Sequence, residues 1–317
     1  MTDDIGTKPN GKETMMNDSA TTAKDNRTGI GHETRLSDQE TPTMENGTKI
    51  NDGQSHEPAQ AGEPMIELKN VCMSFKKRSI LSNLSLEVRT GEILVVIGPS
   101  GSGKSTLLKL MIGLIRPTAG EIWVNGQEIT GMSEDELNRI RRHMGMVFQY
   151  SALFDSMTVG ENVAFGLRQH KEMAEIQINR VIRRTLRMVG LMGRENLMPS
   201  ELSGGMKKRV SLARAIAVNP RIILYDEPTS GLDPVMASTI NRLIMSTRRI
   251  LGMTAVVVTH DMDSAFTIAD RIAMMFNEKI IEIGTPDEFR QSANPTVQQF
   301  ITGVKNSCIP VRRRANE

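Results

Sequence analysis

The sequence predicts an α/β fold with a mainly parallel sheet core, an added antiparallel β piece and an inserted helical subdomain. Short, almost wholly apolar runs, typical of strands buried on both faces, occur at 93–98, 222–226 and 254–259. Helical sequence follows each run, which is the alternation that parallel sheets require. Two earlier segments, IELKNVCMSF and LSLEV, alternate apolar and polar residues as half-covered antiparallel strands do.

The individual elements can be placed in order from Met65 onward. The first two strands and the buried strand ILVVIG precede a glycine-rich turn and the helical sequence STLLKLMIGL. GEIWVNGQEI is predicted to be one further strand, and IAMMF and KIIEIG a closing hairpin. Further helices are predicted at 134–142, 172–190 and 206–218.

The composition changes sharply at Met65. Residues 1–64 contain 12 acidic and 6 basic residues and no aromatic residue, so they are expected to form a disordered acidic tail. Residues 65–290 are expected to form the folded domain, with its helical subdomain at about 150–205. A short C-terminal extension, 291–317, follows. Met65 directly precedes the first strand and is a candidate start of the mature chain.

Several classes of protein are excluded. No apolar run approaches the roughly 18 residues that a membrane-spanning helix needs. The first residues lack the basic start and apolar stretch of a secretory signal. Cys72 and Cys308 show no disulfide or metal spacing, so two free thiols in a reducing compartment are expected. The mildly basic folded part suits an anionic ligand, and no nucleic-acid partner is expected.

The segment GPSGSGKS matches the pattern G-x-x-x-x-G-K-[ST] and stands between a buried strand and a helix, the context of a P loop. Backbone N–H groups in such a loop, together with the helix N-terminus, surround phosphate oxygens. Lys104 is expected to reach the β- and γ-phosphates of ATP, and Ser105 to bind Mg²⁺ with Thr106 alongside. The remaining predicted nucleotide-binding residues of the loop are Gly98, Pro99, Ser100, Gly101, Ser102 and Gly103.

The apolar strand IILYD ends at Asp226, and Glu227 follows at once. Phosphoryl-transfer sites place a carboxylate here to hold Mg²⁺, so Asp226 is predicted to be a metal ligand. Glu227 is placed to polarise an attacking water. The alternative is an exposed strand end whose carboxylates are merely solvated, and the P loop argues against it.

The segment LSGGMKKRV, at 202–210, makes the chain resemble the nucleotide-binding subunits of ABC transporters over about residues 65–290. The resemblance implies a RecA-like P-loop NTPase fold that binds and hydrolyses ATP. Ser203, Gly204 and Gly205 match the signature that contacts the γ-phosphate bound by a second subunit, which implies a homodimer with two composite sites. Met206 stands where the better-known signature has glutamine, and because it lies inside the helix it is not expected to disable the site.

Other residues receive roles from the same resemblance. Gln149 matches the glutamine that senses Mg²⁺ and water, and Asp233 ends the D-loop sequence SGLD. His260 matches the switch histidine that contacts the γ-phosphate; a structural histidine is the alternative. Phe75 matches the aromatic that stacks on adenine, and strand packing is its alternative. Glu227, His260 and Gln149 are therefore the predicted catalytic residues.

The segments YSALFDSMTVGENVAFGLR and LMPSELSGGM narrow the resemblance to the Mla/Mce branch, whose ATPases serve bacterial phospholipid transporters. This implies an integral membrane permease, a periplasmic lipid-binding Mce-domain partner, and a location on the cytoplasmic face of the inner membrane. Phe154, Met157 and Val159 are candidate permease contacts, with packing inside the helical subdomain as the alternative. Arg312–Arg314 could meet lipid headgroups or the other subunit, or form a solvated tail.

Three other functions stay open at this point. The chain could serve another ABC importer, for amino acids or other small solutes. It could act as a nucleotide-gated scaffold like the cell-division ABC ATPases, in which no cargo moves. A non-transport ABC protein such as a translation factor normally carries two cassettes, whereas this sequence has one P loop.

Overall fold

The computed structural model describes residues 62–76, 78–169 and 173–303. The predicted acidic tail, apart from its last three residues, lies outside the described residues, as do 304–317 with Cys308 and Arg312–Arg314. The remaining chain contains alternating strands and helices.

Ten strands are numbered in chain order. They are β1 Pro64–Phe75, β2 Arg78–Arg89, β3 Ile93–Ile97, β4 Ala119–Val124, β5 Gln127–Glu128, β6 Met144–Val147, β7 Ile222–Asp226, β8 Thr254–Val258, β9 Arg271–Phe276 and β10 Lys279–Gly284.

The described residues also form nine α-helices and one short 3-10 helix, Pro199–Glu201. The α-helices are α1 Lys104–Met111, α2 Glu134–Arg141, α3 Val159–Gln169, α4 Glu175–Met188, α5 Gly204–Ala217, α6 Pro234–Leu251, α7 Met262–Ile268, α8 Pro286–Arg290 and α9 Pro295–Thr302.

Two sheets form the framework. The larger has the strand order β10-β9-β3-β8-β7-β6, and every pair in it is parallel except the closing hairpin of β9 and β10. The smaller sheet is antiparallel, in the order β2-β1-β4-β5. The mainly parallel core, the antiparallel piece and the closing hairpin predicted from the sequence are thereby confirmed.

Strand β3 shows why the large sheet is buried on both faces. Ile93, Val95 and Ile97 face a core formed with helices α3 to α6, whereas Leu94 and Val96 face a second core shared with α1 and the antiparallel sheet. Because neighbouring side chains in a strand point to opposite faces, both sets must be apolar. Burial on both faces therefore explains why the apolar run in the sequence is uninterrupted.

One strand prediction was wrong. GEIWVNGQEI is not a single strand but a hairpin, in which Trp123 pairs with Glu128 and Val124 with Gln127. Asn125 and Gly126 both have positive φ, 48° and 73°, as the two-residue turn preferred in hairpins requires. The Asn-Gly pair signalled this turn, and the apolar alternation on either side concealed it.

Strand β6 and helix α3 were not predicted from the sequence as separate elements. β6 is only the four residues Met144–Val147 and pairs in parallel with β7. A run of this length containing a glycine carries almost no periodic signal. β6 lies at the edge of the large sheet and leads directly to Gln149.

Candidate functional site

The P loop leaves the carboxyl end of β3 and leads into α1. Gly98 has φ 151°, and a Cβ atom there would collide with the carbonyl oxygen of Met275. Gly103, with φ 103°, is the N-cap residue of α1, so the first N–H groups of the helix face the loop. Such a turn can surround an anion with backbone N–H groups.

Lys104 is buried at the start of α1. Its Nζ donates to the carbonyl oxygens of Gly98 at 2.8 Å and Pro99 at 3.1 Å. Burial lowers the pKa of Lys104, while attraction to Glu227 and Asp226 opposes that shift. The ammonium group is therefore held inside the loop that it would share with phosphate.

Ser105 and Asp226 are 121 positions apart in the sequence and meet in the fold. The Ser105 hydroxyl donates to Oδ1 of Asp226 at 2.9 Å. Burial raises the pKa of Asp226, and the hydrogen bond from Ser105 opposes that rise. A hydroxyl and a carboxylate side by side are the hard oxygen ligands that Mg²⁺ prefers, and these residues fit that ion.

Glu227 lies directly after β7 in a left-handed backbone conformation, with φ 49°. Its N–H donates to the carbonyl oxygen of Val258 at 2.9 Å. Nδ1 of His260 is 2.9 Å from its Oε2. The parallel strands β7 and β8 thus bring a carboxylate and an imidazole together at their carboxyl ends.

Gln149 follows the end of β6, on the other side of β7. Its Nε2 donates to the hydroxyl of Ser230, at 3.4 Å. Because β6, β7 and β8 are neighbours in the sheet, Gln149, Glu227 and His260 lie beyond the carboxyl ends of three adjacent strands. This edge of a parallel sheet is where ligands bind in open α/β folds.

The signature forms the N-terminus of α5. Ser203 is its N-cap residue, and its hydroxyl accepts a hydrogen bond from the Met206 N–H at 3.3 Å. Ser203 and Gly204 are exposed, whereas Gly205 is buried against the Met236 side chain. No hydrogen bond joins Ser203, Gly204 or Gly205 to the P loop anywhere in residues 62–76, 78–169 and 173–303. The exposed start of α5 is therefore not tied by hydrogen bonds to the P loop of the same chain.

Asp233 and Phe75 stand at the margin of this arrangement. Oδ1 of Asp233 caps α6, accepting from the N–H groups of Val235 and Met236 at 3.0 Å each. Phe75 ends β1 and is 49% exposed. Leu81, in the neighbouring strand β2, lies against Gly103. The hairpin that carries Phe75 therefore borders the P loop.

The segment between β6 and α3 is held by a buried side chain that the sequence reading missed. Asn162 is fully buried; its Nδ2 donates to the carbonyl oxygens of Phe154, Met157 and Thr158, and its Oδ1 accepts from the Phe154 N–H. Phe154 remains 40% exposed, and the preceding Tyr150 is 87% exposed. A lone asparagine inside an amphipathic helix gave no signal of this role.

The candidate permease contacts differ in their surroundings. Val159 is fully buried, so its side chain follows the alternative of packing inside the fold, and it is not a permease contact. Phe154 is exposed, and Met157 is half-buried.

Lys208 was not predicted to be a functional residue. It is buried and donates to the backbone carbonyl oxygens of Gln149 and Glu227. Its spacing from Gly205 and Leu212 places it on the buried face of α5, and this spacing could have indicated its burial.

The arrangement can perform one kind of chemistry well. Lys104 and the N-terminus of α1 lie at the P loop, a hydroxyl and a carboxylate lie beside it, and a second carboxylate is paired with an imidazole. These are the parts of a phosphoryl-transfer site, in which the protein orients phosphate, metal and water.

No helix among the described residues is long and apolar enough to cross a membrane.

Comparisons with known proteins agree with this geometry. Residues 81–230 match the family model described as ABC transporter. The chain is 43% identical over 248 residues to the intermembrane phospholipid transport system ATP-binding protein MlaF of Haemophilus influenzae, covering 78% of this chain and 93% of that protein. It is also 43% identical over 250 residues to the methionine import ATP-binding protein MetN of Carboxydothermus hydrogenoformans, covering 78% and 74%.

A solved structure is similar as well. It is a dimeric ATP-binding cassette in a post-hydrolysis state, bound to ADP and Pi. The TM-score is 0.66 at 35% sequence identity, and the match covers 70% of this chain and 99% of that one. The likeness therefore spans a complete cassette.

Proposed function

We propose, from the premise that this chain belongs to the ABC transporter family, that it is the ATP-hydrolysing subunit of a transporter that moves phospholipid between membranes. Its role as an ABC transporter ATP-binding subunit with ATPase activity rests on the family and on the similarity to relatives and cassettes. The residue roles, the metal, the partners and the cargo are our proposals. The observation that carries the residue roles and the metal is the convergence of Ser105, Asp226, Glu227 and His260 at one sheet edge.

The P loop binds the phosphates of ATP in this proposal. The N-terminus of α1 and Lys104 neutralise their charge, and the other predicted loop residues supply the turn. Ser105, Asp226 and Gln149 would hold Mg²⁺, and the bound ion would supply positive charge to the phosphate oxygens. Phe75 stacks on the adenine ring, for which a phenyl face suffices.

Glu227 polarises the attacking water, and His260 orients that carboxylate from 2.9 Å. Preorganisation of this kind lowers the barrier because the groups need not rearrange during reaction. Gln149, whose amide donates to Ser230, would respond to the metal and the water.

Two copies act together in the proposal. Ser203, Gly204 and Gly205 of one copy complete the P-loop site of the other, and Asp233 lies at the junction. The exposure of the α5 N-terminus, which has no hydrogen bond to the P loop among the described residues, supports this. The solved cassette that this chain resembles is itself dimeric.

A membrane permease is the proposed mechanical partner. Its docking surface would contain Phe154, Tyr150 and Met157, which follow Gln149 in the chain. Phe154 stacks near Phe165, with ring centroids 4.6 Å apart, and Asn162 fixes its backbone. Because this surface is exposed, a partner can bind it, and because its backbone is fixed, a shift of Gln149 can be transmitted through it to that partner.

The cargo is proposed from similarity to the phospholipid transport protein of Haemophilus influenzae. The methionine import protein is equally identical over a similar length, so an importer of amino acids or other small solutes is the second candidate. With phospholipid as the cargo, we also propose a periplasmic Mce-domain protein as a partner and a position on the cytoplasmic face of the inner membrane.

The proposed domain limits are 1–64 for the acidic tail, 65–290 for the ATPase domain with a helical subdomain at about 150–205, and 291–317 for the C-terminal extension.

Co-purification tests the cargo. The native protein would be isolated with its membrane partner, and bound lipids identified by mass spectrometry. The Glu227→Gln variant, arrested with ATP, serves as the matched sample for a defined state. Recovery of phospholipid and an Mce-domain protein supports the proposal; recovery of a permease with a solute-binding protein and no lipid supports the second candidate.

The dimer has its own test. If each active site needs two copies, specific ATPase activity of the isolated protein should rise with protein concentration below the dimer dissociation constant. Activity per molecule that stays constant on dilution, together with a monomeric Glu227→Gln variant in ATP, would contradict the composite site.

A further inference from the structure

Lys208 is a buried basic residue in the helix that begins with the signature. It lies in the second turn of α5 and is 7% exposed. Its Nζ donates to the backbone carbonyl oxygens of Gln149 and, at 3.3 Å, of Glu227. One ammonium group therefore joins the signature helix to the chain segments that carry two of the proposed catalytic residues.

The burial of this cation is unfavourable unless it is compensated. Burial lowers the pKa of Lys208, and attraction to the carboxylates of Glu227 and Asp226 opposes that shift. The compensation thus comes from backbone carbonyls and from the acidic pair at the end of β7. An apolar side chain of the same length would fill this space without any desolvation cost, so packing alone does not explain a lysine here.

The backbone of Glu227 is what the lysine holds. Glu227 has φ 49°, a conformation that costs a non-glycine residue energy and persists only where its surroundings fix it. Its N–H donates to the Val258 carbonyl at 2.9 Å, and its C=O accepts from Lys208 and from the Ser230 N–H at 3.2 Å. Together these hydrogen bonds set the direction in which the Glu227 side chain leaves the backbone toward His260, and Lys208 is the one that comes from the signature helix.

We propose that Lys208 is a positioning residue for ATP hydrolysis, tying the signature helix to the backbones of Gln149 and Glu227. The N-terminus of α5 serves the partner's nucleotide, while Lys208 touches the hydrolytic residues of its own subunit. A displacement of α5 on closure over the partner's ATP therefore moves Gln149 and Glu227 as well. The inference rests on the proposed function, specifically on the roles of Glu227 and the signature.

The preceding residue provides a matched control. Lys207 lies in the same turn of α5 but is only half-buried, and its side chain has no hydrogen bond or ion pair within the described chain. Lys208→Met and Lys207→Met remove the same charge from adjacent positions. Lys208→Gln keeps a hydrogen-bond donor but loses the charge and some reach.

The test measures kcat, KM, the ATP dissociation constant and the melting temperature on the full-length protein. We expect Lys208→Met to lower kcat by about tenfold or more with the ATP dissociation constant within about twofold, because the hydrogen bonds of Lys208 go to Gln149 and Glu227 and not to the P loop. Lys208→Gln should recover part of the loss, leaving kcat about threefold below wild type. Lys207→Met should change both quantities by less than about twofold.

Opposite results would overturn the inference. One such result is that Lys208→Met and Lys207→Met have the same kcat. The other is that the loss of kcat in Lys208→Met equals the loss of folded protein. If Lys208→Met does not fold, the deficit of Lys208→Gln at unchanged ATP affinity carries the test, and its absence overturns the inference.

Glu227→Gln, assayed in parallel, separates two failures. An active Glu227→Gln variant removes the proposed role of Glu227 and the inference with it. An inactive Glu227→Gln beside a fully active Lys208→Met removes the inference alone.

Discussion

The Nδ1 atom of His260 lies 2.9 Å from Oε2 of Glu227, and the backbone N–H of His260 donates to the same oxygen at 3.4 Å. The side chain of Glu227 is 12% exposed and that of His260 60% exposed. The carboxylate is thus shielded on one side and held by a histidine that faces the solvent. This pair is the centre of the proposed hydrolytic site.

Removing either member should stop turnover and leave ATP binding intact. Glu227→Gln loses the negative charge that polarises water, and His260→Ala loses the group that holds the carboxylate. We expect kcat to fall by about 100-fold or more in each, as is usual for loss of a general base or its partner. Phosphate release and ATP binding measure the two quantities, and near-normal hydrolysis in either variant would remove that residue from its role.

Asp226→Asn should raise the Mg²⁺ concentration needed for half-maximal activity. The amide keeps the shape of the side chain but removes the charge that attracts the ion next to Ser105, so we expect a rise of about tenfold. Asp135→Asn, an exposed aspartate in the first turn of α2, is the control. A magnesium titration of ATPase activity that gives equal midpoints for both variants would contradict the assignment.

The signature should tolerate change at Met206 and not at its exposed start. The Met206 side chain packs against the core between the large sheet and helices α3 to α6, so Met206→Gln should keep ATPase activity. Ser203→Arg and Gly204→Asp place bulk or negative charge where the partner's γ-phosphate is expected, and should abolish hydrolysis. Each should still bind ATP, because both residues are exposed and neither is hydrogen-bonded to its own P loop within the described chain. An inactive Met206→Gln would refute this division.

Asn162→Ala should destabilise the fold. The substitution removes the amide's hydrogen bonds to the Phe154 N–H and to three carbonyl groups, of which those of Phe154 and Thr158 keep backbone N–H donors. The Phe154 N–H and the Met157 carbonyl lose the partner that the amide provided. We expect a loss of about 3 kcal/mol in the free energy of unfolding, given the usual penalty for buried unsatisfied groups. Asn179→Ala, at an exposed position of α4, should change it by less than about 0.5 kcal/mol. Urea unfolding measures both, and equal midpoints would contradict the prediction.

The P loop and the acidic strand end were readable in advance because their chemistry depends on residues adjacent in the chain. GPSGSGKS needs a strand before it and a helix after it, and β3 and α1 stand there. The hairpin at Asn125–Gly126 was also signalled locally and was overlooked. By contrast, the four residues of β6 carry too little pattern to be recognised, although β6 places Gln149 beside Glu227.

The sequence by itself determined the fold class, the phosphate-binding loop, the acidic pair and the family, since short-range patterns encode them. Only the tertiary structure decided that Ser105 meets Asp226, that His260 holds Glu227, and that Lys208 reaches from the signature helix to both Gln149 and Glu227. Those contacts join residues 19 to 121 positions apart. They form because parallel strands align their carboxyl ends at one edge, a relation set by strand order that no local stretch of sequence contains.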